Sequence, residues 1–502
     1  MKRKIIFWTV AVLSMLACVA AAAVLHGRPA RIAPGENRLW FYDMGGEAAF
    51  AADLIVVESD GRFGLIDTGN RRASEIEDAD GTVYEIPEDL HLSNSQEGRN
   101  GADAMNYLAE ALGITHLDFI LGTHAHSDHL GGLPEIAELT VTGADGAQHA
   151  LVDENTVYLY KAYHHIDAKS DDLPGAEDEQ EPTVRWHSQA FAWQAVNAVE
   201  SRGGLAVDLS AGKDPGQEAS EEEYREILAA LVEQGVFMYA SYRAGDAADP
   251  EDNRLSLTFG SLTLDLYHLF GVAGALDENV NSVAAVITDG RSRFFTAGDL
   301  DTQFHTEQKV AAQVAEDYGS VDGAKASHHG YAKGSNSKEW YDLLKPELIV
   351  TTSSAESAEA EASGGYANLL YHAKKTVRTA FYETAASDRG LVVTFAPRGL
   401  TVRELRGEAS KAGLGSAEKC RNRMTFREGW ARWDTEYLTA EDSEEIDWYF
   451  FRKGRWVTGW LESGDAVYYL KDDGRMAAGE TLEIDGKTYT FGADGKLSGE
   501  GR

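Results

Sequence analysis

Thr123-His124-Ala125-His126-Ser127-Asp128-His129-Leu130-Gly131-Gly132 sets four metal-ligand side chains inside six residues. The run before it, Leu117-Asp118-Phe119-Ile120-Leu121, is short, apolar and β-prone, so it predicts a buried strand ending just ahead of the histidines. In extended backbone residues i and i+2 point to the same side, so His124 and His126 can reach one ion together. Asp128 and His129, carried on by the turn, can address a second. Neutral imidazole and carboxylate suit zinc, with manganese or iron as alternatives. A lone histidine would read as a polar cap on a strand; this spacing, followed by Gly-Gly, reads as a dinuclear hydrolase centre.

A dinuclear site needs ligands from elsewhere in the fold, and two later segments offer them. Arg293-Phe294-Phe295-Thr296-Ala297-Gly298-Asp299 ends a β-prone run in an acid able to bridge two metals. Gly323-Ala324-Lys325-Ala326-Ser327-His328-His329-Gly330 ends another short run in two histidines and a turn glycine. Gly-Asp alone is a common turn pair; its place after the first motif gives it meaning. Asp128, Asp299 and His328 are the residues expected to serve the catalytic step. Lys325, Tyr331 and Lys333 are possible helpers for which exposed loop roles are expected.

Leu65-Ile66-Asp67-Thr68-Gly69, the THAHSDHLGG stretch, TAGD and SHHG, in that order, resemble the metallo-β-lactamase superfamily. The likeness covers roughly Arg38 to Arg406. It implies an α/β fold, an αββα sandwich of two mixed sheets with helices outside, over a domain at 36–405. It also implies two divalent ions, zinc first, at one edge of the sandwich. On that resemblance His124 and His126 bind the first metal, Asp128 and His129 belong to the second, Asp299 bridges them, and Asp67 supports the ligand loop from behind. Many members take a further histidine from between the first motif and the bridging aspartate. Candidates here are His164, His165, His187 and His268, with the pair His328-His329 favoured instead. The His-His-Gly form is similar to two branches, the hydrolase domain of competence-type DNA-uptake channels and the phosphorylcholine esterases of bacterial cell surfaces.

The ends of the chain separate those branches. Lys2-Arg3-Lys4 followed by the apolar Ile5 to Leu25 reads as a secretory signal or a single anchor within residues 1–30. Only Cys18 and Cys420 occur, so no intramolecular disulfide survives removal of the signal. At 502 residues and 43% hydrophobic content the chain can fill a large core plus a small second unit. A formal net charge of -36 disfavours duplex nucleic acid, whose binding draws on cations that neutralise phosphates. The acid-rich stretches Glu75 to Asp80, Asp171 to Glu181 and Glu218 to Glu223 read as solvated insertions. Ser353 to Gly365 reads as a surface helix or loop.

From Gly429, aromatic pairs, glycines and Asp-Gly turns recur with a period near 20: Gly459 to Gly479 is 20 residues and Tyr468 to Tyr489 is 21. That pattern predicts stacked β-hairpins over 429–502, joined to the first domain by a linker at 406–428. The stretch resembles the choline-binding or glucan-binding cell-wall repeats of Gram-positive surface proteins. In that family aromatic cages hold choline's quaternary ammonium through cation-π attraction. Trp448, Trp456, Trp460, Tyr468 and Tyr469 are the wall residues expected here, with simple packing of the hairpins as the competing role.

Together these features lead to an exported phosphoester hydrolase, a phosphodiesterase or phosphorylcholine esterase of the cell wall, in which water activated by two metals attacks phosphorus. The expected partners are a cell-wall polymer or phosphorylcholine-bearing teichoic acid and a small phosphoester, with a membrane engaged only through the N-terminal anchor. The alternatives are an extracellular nuclease and a non-catalytic wall-binding protein.

Overall fold

Strand Arg38–Tyr42 shows how the first domain is layered: Leu39 and Phe41 face one apolar core while Trp40 and Tyr42 face another. Successive strand residues point to opposite faces, so a strand buried on both sides must be apolar throughout, as RLWFY and LIVVES are after their ends. The computed structural model describes residues 32, 35–45, 51–71, 75–77, 83–85, 100–161, 184–244, 253–275, 278–330, 334–353, 379–421, 429–434, 446–452 and 455–500. The expected export segment lies outside them.

Two sheets form the centre. The nine-stranded sheet runs in the order Leu205–Asp208, Val157–Tyr160, Phe119–Leu121, Arg62–Thr68, Leu54–Ser59, Arg38–Tyr42, Gly390–Ala396, Gly399–Arg406, Gly413–Ser416. The eight-stranded sheet runs Tyr239–Arg243, Arg254–Phe259, Leu262–Tyr267, Ala284–Thr288, Arg293–Thr296, Gly323–Lys325, Leu348–Thr351, Ala380–Glu383. Each is mixed: the first four strands of the nine-stranded order and the last four of the eight-stranded order pair in parallel, and the rest are antiparallel.

Phe41, Ile55, Val57, Phe119, Leu257, Leu264, Ile287 and Phe294 meet between the sheets. Helices cover the outer faces. Gly101–Leu112 and Leu133–Ala137 pack on the nine-stranded sheet through Met105, Leu108 and Ile136. Thr306–Tyr318 and Lys338–Leu344 pack on the other through Val310, Val314 and Trp340. The result is the αββα sandwich expected from the sequence. Burying each of these side chains stabilises by about 1.5–3 kcal/mol before conformational entropy is set against it.

Residues 406–421, expected as part of a linker, belong to the domain. Gly413–Ser416 pairs antiparallel with Arg403 to Arg406 as the ninth strand, and Leu414 and Cys420 are buried. The Gly-rich composition that suggested a linker serves close packing at the sheet edge, where a side chain at Gly415 would meet Arg406. Two acid-rich stretches also hold short elements. Glu75–Glu77 pairs with Val83–Glu85, and Glu221 opens helix Glu221–Glu233 behind a capping box of Ser220 and Glu223.

Beyond 429 the chain forms three small sheets: Gly429–Asp434, Ile446–Arg452 and Arg455–Trp456; Gly459–Ser463 and Ala466–Leu470; and Thr481–Ile484, Lys487–Phe491 and Leu497–Glu500. The Asp485-Gly486 turn has φ of 52° and 77°, the left-handed pair that a two-residue hairpin loop requires. Trp430 donates through Nε1 to Ser463 Oγ, 3.2 Å away, and Met476 N donates to Trp448 O at 2.7 Å, which ties the first hairpin to the second.

Candidate metal centre

Parallel neighbours end at the same edge of a sheet, so side chains placed just past their C-terminal ends converge. Asp67 closes strand Arg62–Thr68, and His124 to His129 follow Phe119–Leu121. Asp299 follows Arg293–Thr296, His328 and His329 follow Gly323–Lys325, and Thr352 follows Leu348–Thr351. Ser127–Leu130 turns into a short helix whose His129 and Leu130 amides donate to His126 O, which brings Asp128 and His129 round to face the first pair.

All seven residues expected at the metals come together. The His124 ring centroid lies 4.6 Å from that of His126 and 4.2 Å from that of His129, and His129 and His329 are 5.3 Å apart. Asp299 Oδ2 is the common point, 3.1 Å from His129 Nε2, 3.3 Å from His329 Nε2 and 3.7 Å from His328 Nε2. Asp128 Oδ2 lies 3.1 Å from His329 Nε2 and 3.8 Å from His129 Nε2.

Behind the cluster, each of two histidines has a carboxylate on its far nitrogen. Asp67 Oδ2 sits 2.8 Å from His129 Nδ1 and accepts from the Thr123 hydroxyl, while Asp67 Oδ1 accepts from the Thr123 amide. Asp53 Oδ1 sits 3.1 Å from His329 Nδ1 and accepts from Thr352 Oγ1 at 2.6 Å, while its other oxygen pairs with Lys325 Nζ. A carboxylate on Nδ1 fixes the tautomer and turns Nε2 toward the centre. Asp53, His129, Asp299 and His329 each offer a ligand atom, all within 4.8 Å of one another. Because both Asp53 oxygens are already engaged, Asp53 acts through His329, and Asp128 is the carboxylate that faces Nε2.

The electrostatics follow from burial. Burial and the neighbouring His129 and His126 hold the His124 pKa well below its ordinary value. Burial opposes charge on His129 and His329, but Asp299 with Asp67 in one case and Asp53 in the other outweighs it and raises both well above the usual imidazole range. Burial also disfavours charge on Asp299, yet His129, His329 and His328 pull its pKa well down.

The residues fit a pair of divalent ions. His124 Nε2, His129 Nε2 and Asp299 Oδ1 are buried and make no hydrogen bond among the described residues. Among the described residues Asp53, Asp67, Asp128 and Asp299 face one ammonium, Lys325, so the rest of the balancing positive charge comes from protons on His129 and His329 or from cations that take their place. The arrangement suits a dinuclear centre; the metal identity is open to zinc, manganese or iron.

Some expectations change. Lys325 is fully buried, donates to Gly298 O at 2.9 Å and is held by Asp53, so it has no exposed loop role. His268 Nε2 donates to Val280 O, 2.8 Å away, and stands outside the cluster. His164, His165, Tyr331 and Lys333 lie outside the described residues, as does the side chain of His187. Asp53 was the residue missed.

In the hairpin region the expected aromatic wall divides in two. Trp460, 41% exposed, meets Tyr469 at 5.1 Å and Tyr489 at 4.7 Å. Tyr468 instead meets Trp430 at 4.7 Å, and Trp430 meets Phe450 at 5.2 Å. Trp448 is 38% exposed, and the Trp456 side chain lies outside the described residues.

Residues 49–207 match the family model of the metallo-beta-lactamase superfamily. No curated protein matches the chain. Among solved structures, the metallo-beta-lactamase fold protein YhfI from Bacillus subtilis is similar at 11% identity over 71% of this chain and 99% of its own, with a TM-score of 0.31. CmlA, a diiron beta-hydroxylase from Streptomyces venezuelae, is similar at 14% identity over 63% of this chain; the chain spans 45% of its length, with a TM-score of 0.28. The choline binding domain of Spr1274 in Streptococcus pneumoniae is similar at 26% identity over 14% of this chain and 96% of its own, with a TM-score of 0.12. The αββα sandwich is thus the metallo-β-lactamase fold, residues 49–207 of it match that superfamily's model, and several small sheets follow it.

Proposed function

We propose that this chain is an exported metal-dependent hydrolase of phosphoesters, acting at the cell wall as a phosphodiesterase or phosphorylcholine esterase. The observation that carries the hydrolase reading is the convergence of His124, His126, Asp128, His129, Asp299, His328 and His329 on one sheet edge, with His124 Nε2 and His129 Nε2 making no hydrogen bond among the described residues. Two divalent ions, zinc in the first instance, would supply a water acidic enough to ionise near pH 7 and positive charge to meet a phosphoryl group.

The chain's own residues decide where substrate enters. His124, His129, Asp299 and His329 are sealed, whereas Asp128 is 26% and His328 23% exposed through their side chains. Substrate therefore approaches across His126, Asp128 and His328. On that open side stands His328, whose Nε2 faces Asp299 Oδ2 at 3.7 Å and whose Nδ1 lies 3.5 Å from Asn279 Nδ2. Lys325 is fully buried and spent on Asp53 and Gly298 O.

The substrate class rests on the rest of the chain. The aromatic hairpins suit a quaternary ammonium through cation-π attraction, which favours a phosphorylcholine-bearing wall polymer such as teichoic acid. The net charge of -36 disfavours the nuclease alternative. The test is a hydrolysis panel on the purified chain, comparing a chromogenic phosphorylcholine ester, a simple phosphodiester, single-stranded DNA and a cephalosporin, with and without chelator. Release of phosphorylcholine, abolished by chelator, is the expected result. Turnover of the cephalosporin alone would overturn the substrate class.

A further inference from the structure

His328 and His329 sit on backbone that side chains rarely tolerate, with φ of 50° and 55°. Such residues cost about 1–3 kcal/mol each and persist only where the surroundings fix them. The groups that fix this turn lie outside the metal cluster. His328 N donates to Gly298 O at 3.1 Å, and Ser353 Oγ donates to His329 O at 2.7 Å. Ser327, directly before the pair, is gripped on both backbone groups by one side chain: its amide donates to Asn336 Oδ1 at 2.8 Å, and its carbonyl accepts from Asn336 Nδ2 at 2.9 Å.

Asn336 is itself in the left-handed region, at φ 60°, and is fully buried. Its amide donates to Glu307 Oε1 at 2.5 Å and the next amide, Ser337, donates to Glu307 Oε2 at 2.8 Å. Glu307 is fully buried in the first turn of helix Thr306–Tyr318, and its own amide donates to Asp301 O, two residues past Asp299. A chain of contacts thus runs from Glu307 through Asn336 and Ser327 to the two histidines, and returns to the Asp299 loop.

We propose that Glu307 is a positioning residue for the metal centre: with Asn336 it clamps the Ser327-His328-His329 turn so that both imidazoles meet Asp299. A buried carboxylate is an expensive way to hold a loop unless the loop's geometry matters, because burial disfavours its charge and no cationic side chain contacts it in the hydrogen bonds and ion pairs described. Each amide has its own Glu307 oxygen; glutamine would keep one acceptor oxygen and turn an NH2 donor toward the other amide.

The inference rests on the dinuclear-metal reading, and the experiment separates the two. Chelator-treated protein is titrated with cobalt(II) at pH 8, following the d–d absorption bands. Wild type is expected to take two ions. Glu307→Gln, and Asn336→Gly, in which glycine keeps the left-handed backbone while losing the clamp, are each expected to weaken at least one cobalt step by about 10–100-fold and to shift its bands. The double variant is expected to be no worse than the poorer single, since both break one chain. Val310→Ala, on the same helix but facing the core, is the control for a general loss of stability. Glu307→Gln binding both ions as wild type does, or Val310→Ala with a matched loss of stability weakening cobalt as much, overturns the clamp. A wild type that takes up no cobalt overturns the metal reading itself.

Discussion

His129 and His329 are held by one device used twice, a buried aspartate on Nδ1 that aims Nε2 at Asp299. His126 differs: it is partly exposed and caps the short helix through its carbonyl, so its ring can be removed without opening the core. His126→Ala is therefore expected to lose at least one bound metal and to drop turnover by a hundredfold or more, on the order seen when a catalytic metal's ligand sphere is broken, while its far-UV circular dichroism and unfolding midpoint stay near wild type. Full activity in a variant shown to be metal-free would reject the mechanism. The ligands were legible because each cluster is short and follows a strand. Asp53 was not, because the groups that give it meaning, His329 and Thr352, stand 276 and 299 residues away in sequence, and an acid after Ala-Ala looks like any strand flank. Lys325 misled for the same reason: its partner Asp53 stands just before a strand of the other sheet.

At the scale of elements, the site depends on how closely helix Gly101–Leu112 approaches the strand that carries Asp67. A Cβ at Gly101 would sit 2.0 Å from Thr68 O and 3.1 Å from Gly132 Cα, and the Gly101 amide donates to Asn70 O at 2.8 Å. Gly132 N in turn donates to Gly69 O, which joins the ligand loop to the same corner. Gly101→Ala is expected to destabilise by about 1–3 kcal/mol, the cost of overpacking, read as a lower denaturant midpoint with an unchanged slope. An unchanged midpoint would mean that the corner is loose. The second glycine of Gly131-Gly132 was quoted with the motif, but its role depends on Gly101, 31 residues upstream in sequence, which spacing alone does not reveal. The hairpins were legible from their period, since turn and aromatic recur together. The strand Gly413–Ser416 was hidden by small residues that read as a spacer and serve as an edge.

For the whole molecule, the two sheets meet at a buried lysine as well as at the metals. Lys161, just past strand Val157–Tyr160 of the nine-stranded sheet, donates through Nζ to Phe270 O at 3.0 Å, beyond strand Leu262–Tyr267 of the other sheet. Burial pushes its pKa from 10.5 down to about 7, against the pull of Glu278 and Asp208. The sign of the consequence is fixed. The unfolded lysine keeps its proton up to pH 10.5 while the folded one gives it up near 7, so between these values the unfolded state binds more protons and stability must rise with pH. The slope approaches about 1.4 kcal/mol per pH unit inside that window. Lys161→Met keeps the length and apolar stem and removes the titrating group. The expected outcome, from urea unfolding at pH 7 to 9.5 with wild type and variant in the same metal state, is a wild-type stability that climbs and a variant stability that is higher at pH 7 and climbs less. Parallel curves would place the charge of Lys161 outside the energetics of folding, and would mean that the two sheets are held at this edge by the Phe270 carbonyl contact and apolar packing alone.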